Sequence, residues 1–266
     1  MDYTYGLGRI YSQTEIDQAK ASPSFEREYN CKYLGQIGNV FHTKDIEIAI
    51  EKGDKCPYPT IENISSHTKK VMGIDCGYGS SNFAIVILED IDGLVRVLFS
   101  EEYSKPDFNA MLYKVGELLG EYRNIDKVYI DASAVSFIRA IKLHTGEDEY
   151  YDEIISDYRA KKWDWESTML FVPVSFGIEH KTMLGNAKLF LEKGHLAIHP
   201  KFDKLITSLR TATEKGEGIL DKDNTAYDDT FDALRLALRF FFYKEKDKAG
   251  MRAAMINSFE MDHRFS

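Results

Sequence analysis

The sequence predicts an α/β domain whose mixed central sheet is flanked by helices. Three observations predict it. From Val71 onward, three short apolar runs are separated by turns of hairpin length, the pattern of an antiparallel meander. After Tyr103, helical periodicity alternates with single short buried strands, as in a layered α/β sheet. Aspartates stand where core elements end or begin: Asp75, Asp131, and the run Asp228-Asp229-Thr230-Phe231-Asp232. With 266 residues, the chain is long enough for one large domain, or one domain with appendages.

Residues 1–67 differ from the rest and read as an N-terminal arm and linker. Thr14 to Ala19 has a helix-start pattern, a threonine cap followed by early acids. Ser22-Pro23-Ser24 breaks it, Phe25 to Tyr33 is a second short helix or an extended arm, and Asp45 to Lys52 is a third helical segment. Pro57, Pro59 and the polar stretch from Ser65 to Lys70 form the linker. This arm lacks the apolar periodicity for a core of its own and is expected to pack on a neighbour.

The domain proper spans 68–243. Val71 to Cys76 is a strand, Gly77 to Ser81 a turn, Phe83 to Leu88 a strand, Ile91-Asp92-Gly93 a turn, and Leu94 to Tyr103 a strand. Asp107 to Tyr122 is an amphipathic helix with Phe108, Met111, Leu112, Val115, Leu118 and Leu119 on one side. Lys127 to Asp131 is a short buried strand and Ala134 to His144 a helix. Residues 147–166 are an acidic, aromatic insertion containing Trp163 and Trp165. Leu170 to Phe176 is a strand, and Glu179 to Lys193 a helix closed by Gly194. Leu196 to Ile198 is a strand, Pro200 to Thr213 a helix, and Tyr227 to Tyr243 the last long helix. Residues 244–266 form a charged tail.

Composition excludes several classes. No run of about 18 apolar residues is present, so no transmembrane helix is expected. The N-terminus lacks a basic region followed by an apolar core, so no secretory signal is expected. Cys31, Cys56 and Cys76 are scattered and odd in number, without zinc-site spacing, which favours reduced thiols in a cytosolic setting. The net charge of −9 argues against a general nucleic-acid binder but not against a nuclease, whose acidic site stays negative until metallated. Lys181, Lys188, Lys193, Lys201, Lys204 and Arg210 fall in one region that reads either as a local basic surface or as a solvated face of mixed charge.

An aspartate ending a buried strand is costly unless something neutralises it. Three such sites, far apart in sequence, point to one shared partner, and clustered carboxylates fit divalent metal, most simply two ions. Asp75 is placed to bridge them, Asp131 to contribute from an adjacent strand, and the last helix to close the site. Asp229 and Asp232 are three apart and Asp228 and Asp232 four apart, so either pair shares a helix face. The order of preference as ligands is Asp232, Asp229, Asp228. Taken singly, each acid also reads as a cap, a turn former or a partner of the helix dipole. It is the set, in this element order, that carries information. Lys181 and Lys188 lie on a helix able to approach a scissile phosphate, although surface lysines are the simpler reading. His180, His195 and His199 lack metal-site spacing. Trp163 and Trp165 read as aromatics packed on the core rather than as a base-stacking platform.

These residues carry a resemblance. Gly73-Ile74-Asp75-Cys76-Gly77-Tyr78-Gly79, Val128-Tyr129-Ile130-Asp131-Ala132 and Asp228-Asp229-Thr230-Phe231-Asp232-Ala233-Leu234-Arg235-Leu236-Ala237 resemble the RNase H-like nuclease superfamily. In particular they resemble the C-terminal nuclease domain of large terminase subunits, which package DNA in tailed viruses. Ser22 to Gly35 is similar to the segment that follows the terminase ATPase domain, and Leu189 to Ile198 is similar to a helix and short strand of the nuclease. The resemblance implies an endonuclease using two Mg2+ or Mn2+ ions, with Asp75, Asp131, Asp229 and Asp232 as catalytic ligands and Asp228 as a further metal ligand. It implies double-stranded DNA as substrate and an ATPase motor, a portal and a small terminase subunit as partners, at the procapsid in the host cytoplasm. The sequence departs from the family in having no GxxxxGK[ST] loop, so the motor's phosphate cradle is missing from it. Relatives carry a histidine or second aspartate near the last ligand, where this chain has Tyr227 and the flanking aspartates, so the choice among Asp228, Asp229 and Asp232 stays open. The rival readings are a resolvase- or transposase-type nuclease with the same site, an actin-like ATPase sharing the meander and the turn after Asp75, and a non-catalytic module.

Overall fold

The structure is a computed structural model, and it describes residues 8, 12–14, 16, 38–65, 67–77, 81–146, 169–215 and 219–241. Most of the arm, including Phe25 to Tyr33, lies outside these residues, as do Cys31, the insertion with Trp163 and Trp165, and the tail after residue 241. In chain order the elements are α1 (Thr43–Asp54), β1 (Lys70–Cys76), β2 (Phe83–Ile91), β3 (Leu94–Tyr103), α2 (Phe108–Glu121), β4 (Ile125–Asp131), α3 (Val135–Thr145), β5 (Phe171–Val174), α4 (Phe176–Glu192), β6 (Leu196–Ala197) and α5 (Asp203–Thr211). A last helix, α6, covers residues 228–241.

The strands form one six-stranded sheet in the order β5-β4-β1-β2-β3-β6. β1, β2 and β3 pair antiparallel, while β4 lies parallel to β1, β5 to β4, and β6 to β3. The sheet is therefore mixed, with only β2 running against its neighbours. The turn between β2 and β3 is set by Asp92 (φ 53°) and Gly93 (φ 89°), the left-handed pair that a tight hairpin requires. The Gly93 N–H donates to the Asp90 carboxylate at 2.8 Å.

Alternation along the strands sends side chains into two cores, one on each face. One face gathers Met72, Ile74, Phe83, Ile85, Val128 and Ile130 under α2 and α3, with Met111, Val115, Phe137 and Ile141 opposite. The other gathers Val71, Ala84, Val86, Val97, Tyr129 and Val172 under α1, α4, α5 and α6. Val40, Phe41, Ile46 and Ala49 belong to this second core, so α1 packs on the sheet layer itself. Gly53 of α1 sits against the end of β6, where an added Cβ would meet the Ile198 carbonyl at 2.2 Å.

Some boundaries differ from the sequence reading. β5 stops at Val174 and α4 begins at Phe176, three residues before the expected Glu179. The strand ends where its parallel partner β4 ends, with Asp131 opposite Val174. The chain then turns, and the Phe176 ring lies 4.6 Å from the Arg235 guanidinium. α5 is shorter than expected, starting after Pro200-Lys201-Phe202. Tyr227 has φ 53° and stands outside α6. Gly194, at φ 63°, closes α4 as expected. Among the described residues, no helix is long and apolar enough to cross a membrane.

Candidate metal centre

Residues 71, 73 and 75 of β1 point to one face of the sheet, because successive side chains alternate. α6 lies on that face and touches it at Gly73: a Cβ there would sit 2.0 Å from the Ala233 carbonyl oxygen and 2.7 Å from the Ala237 amide nitrogen. The missing side chain lets the helix backbone rest directly on the strand. Two residues along β1 is Asp75, and one residue before Ala233 on α6 is Asp232. Close packing at Gly73 thus brings the two acids to the same end of the β1–α6 contact. Asp131 ends β4, next to β1, on the same face as Tyr129, which lies in the same core as α6.

The acids feel one another. Burial pushes the Asp75 carboxyl well above the usual carboxylate range, and the charges of Asp232, Asp229 and Asp131 push it further, against the opposing pull of Lys222. Asp229 is pushed up to about 6 by burial and by Asp228 and Glu102. Asp228 is raised by burial despite Lys222. Asp232 is 1% exposed. Its Oδ2 meets the Lys222 ammonium at 2.6 Å, and its Oδ1 lies 2.5 Å from Arg235 Nη2. Asp232 is thus flanked by two cations, one from the turn before α6 and one from α6 itself. Asp131 accepts hydrogen bonds from the Ser133 amide, at 3.2 Å, and from the Ser133 hydroxyl.

The five predicted site residues therefore converge on one end of the sheet, from β1, β4 and the first turns of α6. Their placement is not yet a chelate. Among the described residues, no three His, Cys, Asp or Glu side chains are gathered closely enough to hold an ion as they stand. Lys222 reaches in between Asp232 and Asp228, the latter at 3.7 Å.

Several residues around the acids were not identified from sequence. Arg235 is fully buried, between the Phe176 and Phe231 rings and beside His180. Its residue type suggests exposure, although its position four residues after Phe231 places it beside the apolar stripe of α6. His180 accepts from the Leu220 amide through Nε2 at 3.0 Å, and burial with the Arg235 charge lowers it to about 4, so it stays neutral near neutral pH. Glu102 of β3 accepts from the Thr230 hydroxyl at 2.9 Å and from the Asn82 amide at 3.0 Å, tying the start of α6 to the meander. Arg239 forms a two-pronged contact with Glu179, at 2.6 and 3.1 Å, joining α6 to α4.

Lys222, in the turn before α6, is a lysine whose charge acts on the acids. Lys188 faces Glu192 at 4.0 Å on the exposed side of α4. Of the other basic residues, Arg210 pairs with Glu47 at 2.5 Å. Lys201 lies 4.6 Å from the Tyr58 ring and Lys204 5.6 Å from the Tyr227 ring. Lys204 also donates to the Glu102 carbonyl at 3.3 Å. The turn after Asp75 needs Gly77, since a Cβ there would sit 1.9 Å from the Asn82 carbonyl oxygen. Residues 78–80 of that turn lie outside the described residues.

No protein-family model matches the sequence, and no curated protein matches it significantly. Solved structures do match. The HK97 bacteriophage large terminase aligns with a TM-score of 0.55 at 14% identity, over 88% of this chain and 52% of that one. A second large terminase, from a thermophilic bacteriophage, aligns with a TM-score of 0.52 at 12% identity, over 88% of this chain and 53% of that one. The large terminase nuclease of thermophilic phage G20c, with bound magnesium, aligns with a TM-score of 0.51 at 15% identity, over 77% and 98%. The chain thus spans about half the length of the full terminases and matches nearly all of the isolated nuclease domain. At these identities the likeness concerns the path of the backbone, and on that ground the chain has the RNase H-like fold of the large-terminase nuclease domains.

Proposed function

We propose that this chain is the divalent-metal-dependent DNA endonuclease part of a viral or proviral large terminase, cutting concatemeric double-stranded DNA during genome packaging. One observation carries the reading: Asp75 and Asp232, both nearly buried, share one end of the β1–α6 contact with Asp131, Asp228 and Asp229. Carboxylates in that number are not stable together without cations. The donor set, carboxylate oxygens alone, suits hard ions such as Mg2+ or Mn2+. The ligands would be Asp75, Asp131, Asp229 and Asp232, with Asp228 at the rim. When bound, a pair of such ions activates the attacking water and stabilises the leaving oxygen of the phosphodiester.

The chain's own residues do the rest. Arg235, walled in by Phe176 and Phe231, holds a fixed positive charge beside Asp232 and orients that carboxylate. Glu102 holds the N-terminal turn of α6 through Thr230, so that Asp229 and Asp232 stay facing β1. Lys204 and Tyr227 line the rim on the β3 side, where the backbone of a duplex would approach. The ATPase motor, portal and small subunit act on this part from outside it, by the same reading. Packaging takes place at the procapsid in the host cytoplasm.

Cleavage of supercoiled plasmid tests the proposal. With Mg2+ or Mn2+ the protein is expected to nick and linearise the plasmid, and chelator is expected to stop it. Asp75→Asn and Asp131→Asn should each reduce cleavage by at least about a thousandfold, a loss of about 4 kcal/mol in transition-state stabilisation, while keeping the folded spectrum. Cutting at the wild-type rate by either variant sinks the assigned site.

A further inference from the structure

Lys222 stands in the connection between α5 and the last helix, in the run Asp221-Lys222-Asp223-Asn224. Its backbone is anchored, with the Lys222 carbonyl accepting from the Thr225 amide at 3.4 Å. The neighbouring acids are already matched: Asp221 and Asp223 lie 3.2 and 2.7 Å from the Lys215 ammonium, and Asp221 also accepts from Asn224. The Lys222 charge is instead directed into the cluster, 2.6 Å from Asp232 Oδ2 and 3.7 Å from Asp228 Oδ2. Its side chain is 50% exposed, while that of Asp232 is 1% exposed.

Two cations contact Asp232, and they differ in one respect. Arg235 is fully enclosed by Phe176, Phe231 and His180, so it has nowhere to go. Lys222 reaches the same carboxylate from solvent on a flexible four-carbon stem and can swing back out. We propose that Lys222 is a built-in counter-cation that competes with divalent metal for Asp232 and Asp228, so that an ion enters only as the ammonium leaves. The inference rests on the metal reading of the carboxylate cluster given above.

The geometry leaves little room for both cations. A metal bound about 2.1 Å from Asp232 Oδ2 would lie within about 5 Å of an ammonium on the same oxygen. Like charges at that separation repel, and the ammonium protons occupy lone pairs that the ion requires. A lysine that only propped up the cluster would have the opposite effect, because its removal would splay the acids and weaken metal binding. The two roles therefore differ in the sign of one measurement.

That measurement is calorimetric titration of Mn2+ and Mg2+ into the full chain without DNA, for wild type, Lys222→Met and Lys222→Arg. Lys222→Met is expected to bind Mn2+ roughly tenfold more tightly than wild type, a modest effect because the lysine is half exposed and screened. Lys222→Arg, which keeps the charge, is expected to stay close to wild type. Melting in chelator supplies a second readout: Lys222→Met should melt below wild type, and saturating Mn2+ should close or reverse the gap. Lys222→Gln repeats the test with a neutral polar side chain in case methionine disturbs the fold. Equal or weaker metal binding by both neutral variants overturns the role of Lys222 and leaves the metal reading standing. Absence of metal binding in wild type and variants alike overturns both.

Discussion

Burial raises the proton affinity of Asp75 and Asp229 at the place where Lys222 and Arg235 bring positive charge. Asp229 makes the consequence measurable. Its folded carboxyl is pushed up to about 6, above its ordinary value of 3.8. Between those values the folded chain holds a proton on Asp229 that the unfolded chain has lost. The ionised form therefore costs stability in full above about pH 6, and that cost fades as pH falls from about 6 to the ordinary value of 3.8. In chelator, Asp229→Asn is expected to melt above wild type at about pH 8, with the gap narrowing as pH falls below about 6 and closing below about pH 3.8. A gap that stays constant across this window would contradict the assignment. The acids themselves were legible in the sequence, because an aspartate at the end of an apolar run is conspicuous. The cations were not. Lys222 sits in an ordinary turn run, and Arg235 is a charged residue beside an apolar helical stripe, where its type argues for exposure and its position, four residues after Phe231, for burial. Only the packing of Phe176, Phe231 and His180 around Arg235 shows that it is enclosed.

At the scale of elements, the site depends on how α6 meets β1, and Gly73 sets that distance. Gly73→Ala places a methyl 2.0 Å from the Ala233 carbonyl oxygen, so the helix must move off the strand. Overpacking of this kind costs about 2–3 kcal/mol. Because Asp232 adjoins Ala233, the same displacement pulls it away from Asp75. Gly73→Ala is expected to lower the midpoint of urea unfolding and to slow metal-dependent cleavage at least about tenfold at a temperature where the variant is still folded. Unchanged cleavage in a destabilised but folded variant would show that the β1–α6 spacing does not govern the site. The meander was readable because its turns announce themselves, as Asp92 and Gly93 do with their positive φ. The start of α4 was not, because a tertiary contact fixes it. β5 ends with its partner β4, and Phe176 enters the helix where its ring covers Arg235. The start of α5 differs for a similar reason. Pro200 and Phe202 carry helix-compatible patterning but stand in irregular chain, with the Phe202 ring 5.8 Å from that of Tyr58.

The whole molecule is a mixed sheet with a helical layer on each face, and the carboxylates occupy one end of the face that α6 covers. This arrangement separates two jobs. Two cores supply stability along the length of the strands, while one end of the sheet holds charges that oppose folding unless a cation is present. The likeness to terminases covers about half of their length, and it covers the half that carries the nuclease. Everything proposed for the chain turns on divalent ions binding at that one end of the sheet. Crystals soaked in Mn2+ and measured at a wavelength where manganese scatters anomalously test this most directly. Anomalous density is expected between the carboxylates of Asp75 and Asp232, with Asp131 or Asp229 completing the ligands and the Lys222 side chain turned toward solvent. Density confined to other surface carboxylates, or none at saturating Mn2+, would contradict it.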